Sequence, residues 1–403
     1  MKILVINCGS SSLKYQMMDT NTKVALAKGL VDRIGLSGSV IKHQKSDGTS
    51  VNIDKDIPNH NVAVESVLSL LLDEKQGVIK NKNEIEAIGH RIVHGGEAFA
   101  SSVLINDAVM KELEANIELA PLHNPSNIVG IVACQKLLPS VMQVGVFDTA
   151  FHQQMPAYAY LYGIPLDLYR KYKIRRYGFH GTSHYFVSNR AAEILNKSIK
   201  DLKIVTCHLG NGCSIAAVKG GISVDTSMGF TPLEGLLMGT RSGDMDPQII
   251  LYIMGKEGIS KADAEKLLNK SSGLAGLSET SSDMREIESN MESGDQKCKT
   301  AFDVFCYRVK KYIGSYAVAM GGVDAVVFTG GIGENSTIVR KSVCEGMDFL
   351  GIKLDNAKNI SKDKEKDISV DGSPVRILVV PTNEELVIAM DTNRIVSELK
   401  KKN

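Results

Sequence analysis

The chain of 403 residues is 43% hydrophobic and 23% charged, with a formal net charge of +1, seven cysteines and no tryptophan. That balance excludes a disordered chain and gives no support to a nucleic-acid or membrane partner, while the length suits two or three domains. The apolar run after Met1-Lys2 is too short for a signal peptide, no run could span a bilayer, and the cysteines include no CxxC pair, so a cytoplasmic protein with reduced thiols is expected.

Lys2 to Tyr15 (KILVINCGSSSLKY) reads as a strand, a glycine–serine turn and a second strand carrying Lys14. Gly9, three serines and a lysine can cradle a polyphosphate, although an ordinary polar hairpin would read the same way. Val24 to Val40 and His43 to Ile53 read as further strands, the latter turning at Asp47-Gly48, and Val62 to Glu74 has helical periodicity. A strand over Ile85 to Gly96 is followed by a helix over Asp107 to Ala120. Asn124-Pro125 opens another helix, with proline at its first position, and Val141 to Thr149 reads as a strand.

Gln153 to Tyr177, rich in tyrosine and proline, is expected near the junction of two halves. Ser183 to Asn196 reads as a helix. Lys203 to Gly221 (KIVTCHLGNGCSIAAVKGG) reads as a strand, an Asn211-Gly212 hairpin turn and more strand. Asp246-Pro247 opens a helix, and Ser260-x-x-Asp263 has the form of a capping box. Gln296 to Met320 is a long helix whose stripe Phe302, Phe305, Val309, Tyr312, Ile313 and Tyr316 is core. Ser361 to Asp367 (SKDKEKD) reads as a solvated loop, Glu385 to Leu399 as a final helix, and Lys400 to Asn403 should fray.

The two halves repeat one pattern. Aligning Lys2 with Lys203 brings Gly9 onto Gly210, Ile85–Gly96 resembles Val323–Gly333, and Val141–Thr149 resembles Val375–Thr382. The chain therefore reads as two copies of a βββ-then-αβ unit with their phosphate-facing turns opposed across a cleft. Residues 1–149 with 386–403 form the first domain and 150–385 the second.

Residue chemistry sharpens this. Arg91, in Gly89–Glu97 (GHRIVHGGE), offers a planar fork at a strand's end, and Arg241, in Met238–Asp244 (MGTRSGD), a second between glycines. Each could be a surface ion pair; together they suit phosphoryl transfer to a carboxylate, since both reactants are anions that repel. His180 and His184, four apart in Gly178–His184, leave open a metal site or a histidine donating to the transferring oxygen. Asp148 and Glu384 end corresponding strands and could hold Mg²⁺, orient a substrate or take a proton; a helix cap is the alternative for the second. Gly330–Asn335 (GGIGEN) lacks the spacing of a dinucleotide fingerprint, there is no P-loop, and Ser282–Arg285 has no reading from spacing alone.

These motifs, Asn7–Lys14, GHRIVHGGE, FHGTSH, HLGNG, MGTRSGD and GGIGEN, resemble the acetate kinase family over essentially the whole chain. The resemblance implies an α/β fold of two duplicated ribonuclease-H-like (actin-like ATPase) domains facing a cleft, with ATP or ADP as co-substrate, acetate and acetyl phosphate as the other ligands, and a homodimer. It implies Mg²⁺, with Mn²⁺ as an alternative, near Asn7 and Glu384. Nucleotide contacts would come from Lys14, from His208, Leu209, Gly210, Asn211 and Gly212, from Asp283, Met284 and Arg285, and from Gly331, Ile332, Gly333, Glu334 and Asn335. Acetate would sit by Arg91, with Val93, Leu122, Phe179 and Pro232 as an apolar pocket. Arg241 and His180 would stabilise the phosphoryl group, assisted by Asp148, in direct in-line transfer. Cys8, where alanine is common in the family, would add a thiol near the phosphates. The rivals are a propionate kinase and, from a different class, an actin- or chaperone-like ATPase.

Overall fold

The computed structural model describes residues 1–121 and 123–402. The chain divides into two compact units, one of residues 1–153 with 383–403 and the other of residues 154–382.

The first unit is built on an eight-stranded sheet. Its strands are β1 Lys2–Cys8, β2 Ser12–Asp19, β3 Val24–Asp32, β4 Val40–Lys45, β5 Ser50–Asp54, β6 Ala87–Ile92, β7 Val103–Leu104 and β8 Met142–Phe147, in the order β5-β4-β3-β2-β1-β6-β8-β7. The period-2 alternation of β1 explains its central place. Leu4, Ile6 and Cys8 join one apolar cluster with Val64, Val67 and Leu68 of helix His60–Leu72 and Ala133 and Cys134 of helix Asn124–Leu137. Ile3 and Val5 join another with Ile388, Ala389 and Val396 of the C-terminal helix Glu384–Lys402. Burial of each such aliphatic side chain stabilises the fold by about 1.5–3 kcal/mol. At Gly89 on β6 that last helix packs close: a Cβ there would lie 2.5 Å from Thr392 Oγ1.

The second unit holds a six-stranded sheet of β9 Lys203–Leu209, β10 Cys213–Lys219, β11 Ile222–Thr226, β12 Ala325–Thr329, β13 Lys366–Asp367 and β14 Arg376–Val379, ordered β11-β10-β9-β12-β14-β13. The duplication is explicit in the register. Ile3 pairs with Ala87 and Ala87 with Met142 in parallel; Ile204 pairs with Ala325 and Ala325 with Arg376 in the same way. Helix Gly181–Ile194 packs against β9 and β12, and helix Gln296–Met320 against β9 and β10.

Several local expectations change. Val24 to Val40 is not one strand: Arg33, Gly35 and Gly38 adopt positive φ, and β3 ends at Asp32 before a loop. Helix Asp107–Ala115 tightens into a 3₁₀ turn over Asn116–Leu119. The charge run 361–367 ends in β13, because Lys366 and Asp367 pair with Val379 and Leu378 of β14 and so complete a sheet edge. Helix Gln296–Met320, the Asp246 cap and the Ser260/Asp263 capping box are as expected.

Candidate active site

In the first unit, the end of β6 brings Arg91 beside two carboxylates. Its Nε and Nη2 donate to Asp148 Oδ1 and Oδ2 at 3.1 and 2.5 Å, and its Nε lies 3.8 Å from Glu384 Oε2. Asp148 is 1% exposed. Burial opposes charge on Arg91, but the two carboxylates outweigh it and hold the guanidinium protonated. Burial also pushes Asp148 upward and Glu384 adds repulsion, while Arg91 pulls the other way. Two anions thus share one cation, and a divalent ion would relieve their repulsion. Glu384 at the start of the C-terminal helix offers the hard oxygen such an ion prefers, and the Asn7 amide near the end of β1 is a second donor type, a donor set that would suit a divalent ion held mainly by substrate phosphates. No group of three or more His/Cys/Asp/Glu side chains placed to hold a metal ion exists among the described residues.

Lys14 stands exposed on β2 directly across from Asn7. Val93, expected to share a strand face with Arg91, lies one residue past the end of β6; its N–H is taken by Asn127 Oδ1 at 3.1 Å, and it is 8% exposed. The ladder stops at Ile92, whose carbonyl accepts the Asp148 N–H, so strand alternation no longer sets the direction of Val93. Leu122 lies outside the described residues. Cys8 faces inward, not toward the turn: a Cβ on Gly130 would meet its Sγ at 2.4 Å, and burial pushes its thiol up to about 12.

The second unit gathers the other cation. Arg241 is half-buried, and its Nη1 reaches only the Pro232 carbonyl at 3.4 Å and Met238 Sδ at 3.8 Å. It has no carboxylate partner among the described residues, and burial lowers its hold on the proton. His180, at the N-terminus of helix Gly181–Ile194, adopts φ 55°, stacks on His208 with centroids 4.2 Å apart, and has Nδ1 2.8 Å from Ser214 Oγ. A Cβ on Gly212 would lie 3.5 Å from Arg241 Nη1 and 3.7 Å from His180 Nε2. Arginine and histidine therefore converge over a glycine whose missing side chain leaves room for an anion. Phe179 is buried beside His180 in the chain. The metal alternative for His180 and His184 fails: His184 Nδ1 and Nε2 lie 2.7 Å from Thr206 Oγ1 and Ser214 Oγ, so both ring nitrogens are engaged.

A cavity of about 760 Å³, a volume typical of small-molecule sites, is lined by Gly210, Asn211, Asp283, Met284, Arg285, Gly331, Ile332 and Asn335 among others. Asp283 caps helix Met284–Glu292 and pairs with Arg285, which holds its carboxyl below the usual range. His208, Leu209, Gly212, Gly333 and Glu334 do not line it. Leu209 and Gly333 are buried, and Glu334 Oε1 turns back to accept the Gly330 and Thr382 N–H groups at 2.9 and 3.3 Å. Ser282, Glu288 and Ser336 line the cavity without having been expected to; Ser336 donates to Glu288. His123, just before Asn124-Pro125, contributes to the field at Asp148, and only its place at a helix start could have flagged it.

A family model described as the acetokinase family matches residues 2–390. The chain is 58% identical to the acetate kinase of Desulfitobacterium hafniense over 398 residues, 99% of this chain and 100% of that one. The acetate kinase of Acetivibrio thermocellus is 58% identical over 399 residues, with the same coverage of both chains. Among solved structures, Porphyromonas gingivalis acetate kinase superposes with a TM-score of 0.95 at 51% identity, covering 98% of this chain and 99% of that one. A Francisella tularensis propionate kinase superposes with a TM-score of 0.91 at 43% identity, with the same coverage.

Proposed function

Because this chain belongs to the acetokinase family, we infer that its activity is that of an acetate kinase: reversible transfer of the terminal phosphoryl group of ATP to acetate, giving acetyl phosphate and ADP. The observation that carries the residue assignment is Arg241, a half-buried guanidinium without a carboxylate, converging with His180 on the space over Gly212. A desolvated cation preorganised without a counter-ion gains most when an anion's charge spreads in the transition state.

Residues of the cavity around Asn211, Asp283, Arg285 and Ile332 hold the nucleotide. Arg91, oriented by Asp148, presents its remaining donor to the acetate carboxylate, and Val93 of the same unit limits the size of the acid. Mg²⁺ near Glu384 and Asn7 neutralises phosphate charge when bound. His180 and Arg241 stabilise the equatorial oxygens during in-line transfer. A homodimer in the cytoplasm is part of the same reading; no helix among the described residues is long and apolar enough to cross a membrane.

The test is steady-state kcat/KM for acetate, propionate and butyrate with Mg-ATP, alongside Arg241→Ala. Acetate should be preferred, and the variant should lose about 10²–10³-fold in kcat, as for removal of a preorganised donor. A preference for propionate would transfer the assignment to the rival acid. A fully active Arg241→Ala would remove this arginine from the reaction.

A further inference from the structure

Arg91 and Arg241 are held in different ways. Arg91 has a carboxylate against its guanidinium, whereas Arg241 has none among the described residues and reaches only the Pro232 carbonyl and Met238 Sδ. A long side chain without such a partner depends for its position on the backbone that carries it. Yet Arg241 stands in residues 227–246, between β11 and helix Pro247–Glu257, a stretch with no helix or strand of its own.

Within that stretch, residues 235–244 form a closed loop. The Asp244 N–H donates to the Gly235 carbonyl at 2.9 Å, and the Gly235 N–H donates back to Asp244 Oδ1 at 2.8 Å. The neck has no slack: Gly235 has φ 106°, and a Cβ there would lie 2.5 Å from the Ser227 carbonyl oxygen. The second carboxylate oxygen, Asp244 Oδ2, accepts the hydroxyl of Tyr312. Tyr312 lies on helix Gln296–Met320, which packs against β9 and β10, so the neck is anchored to an element that supports the sheet. At the tip, the Leu274 and Ala275 N–H groups donate to the Met238 and Gly239 carbonyls at 2.8 and 3.0 Å, and the Arg241 carbonyl accepts the Met238 N–H at 3.1 Å. Main chain thus fastens the tip, while two side chains fasten the neck.

The Tyr312 ring fits the core stripe read from its helix, stacking edge-on against Tyr316 with centroids 5.6 Å apart. Phenylalanine would serve that packing equally well, so the hydroxyl has a separate use. Burial, with the Asp244 charge beside it, raises the phenol well above its usual range and keeps it a donor.

We propose that Asp244 and Tyr312 are positioning residues for Arg241, closing and anchoring the loop that aims its guanidinium at the space over Gly212. The proposal rests on Arg241 acting in phosphoryl transfer. Both Asp244 oxygens are used inside the protein, so its influence on the reaction runs through Arg241.

The test is Tyr312→Phe, alone and combined with Arg241→Ala, with kcat, both KM values and the melting temperature measured on each variant. Tyr312→Phe should lower kcat by about 10–100-fold, the scale of a misaligned group. Both KM values should stay within about twofold, with the protein folded at the assay temperature. In the Arg241→Ala background the same substitution should change kcat by less than about twofold, because the side chain it aims is gone. Asp244→Ala should behave like Tyr312→Phe. Asp244→Asn, whose amide still accepts from Gly235 and meets the Tyr312 hydroxyl, should recover most of the parent kcat. Equal fractional losses with and without Arg241 overturn the proposal and leave a merely structural contact. Parent kcat in Tyr312→Phe overturns it as well. A fully active Arg241→Ala is a different failure: it removes the reading of Arg241 beneath the proposal.

Discussion

Arg91 and Asp148, 57 residues apart in the chain, form a two-point ion pair, with Arg91 Nη2 2.5 Å from Asp148 Oδ2. Asp148 is buried and Arg91 partly so, which makes the pair a stiff element and sets the angle at which the rest of the guanidinium is presented. Removing one member of a buried pair typically costs about 3–5 kcal/mol, because the other is left uncompensated. Arg91→Ala should therefore lower both kcat, by about 10²-fold or more, and the melting temperature, and Arg91→Lys should restore little, since a point charge cannot reproduce the fork. Asp148→Ala should be less harmful to stability in the Arg91→Ala background than alone. Strictly additive melting shifts in the double variant would show that the pair is not coupled.

Gly212 offers a test of the space over it. A Cβ there meets Arg241 Nη1, His180 Cε1 and His180 Nε2 at ordinary contact distances of 3.5, 3.6 and 3.7 Å, so alanine fits the fold. It would nonetheless stand where an anion approaches the two side chains. Gly212→Ala should keep the parent melting temperature while activity falls by about 10-fold or more, in line with loss of a well-aligned geometry. Unchanged turnover with a correctly folded variant would place the transferring group elsewhere.

Cys8 should be unreactive in the native protein. Its Sγ packs on Gly130, it is buried, and its thiol is pushed up to about 12 by burial, so the thiolate that reagents require is scarce. Labelling followed by peptide mass spectrometry should give the same slow rate with and without Mg-ATP, rising only in denaturant. Nucleotide protection of Cys8 in native conditions would contradict this orientation.

Stability should fall in mild acid through His90 and His94. Burial lowers His90 to about 4, with the Gln143 hydrogen bond partly opposing, and lowers His94 to about 3. His94 Nδ1 accepts the Gly96 N–H, which a protonated nitrogen cannot do. An unfolded histidine takes its proton near ~6.5, so below that value the unfolded chain binds more protons and is favoured. The stabilisation is complete above about 6.5 and is lost as pH falls toward 4, at up to about 1.4 kcal/mol per pH unit for each ring. In denaturant titrations from pH 7 to 4, His90→Gln should flatten this decline by about one proton's slope. An identical slope in the variant would mean that His90 is already charged in the folded state.

The duplicated sheets, the long helix over 296–320 and the capped helix starts were legible from the chain alone, because each rests on periodicities of two or about 3.6 residues and on short-range capping chemistry. The positions of the glycine turns, and of the two arginines beside them, were legible for another reason: their residue types are unusual for the local structure around them. Side-chain direction was not. Cys8 turns into the core because Gly130 leaves it room, Val93 leaves the strand because Asn127 takes its N–H, and Glu334 turns back on Gly330 and Thr382. The two histidines four apart admitted a metal by spacing, but Thr206 and Ser214, 22 and 30 residues beyond His184, decide their partners. Local sequence sets which conformations a segment favours; only the packed fold sets which distant donor meets which buried acceptor, since that depends on desolvation and on groups brought together by other elements.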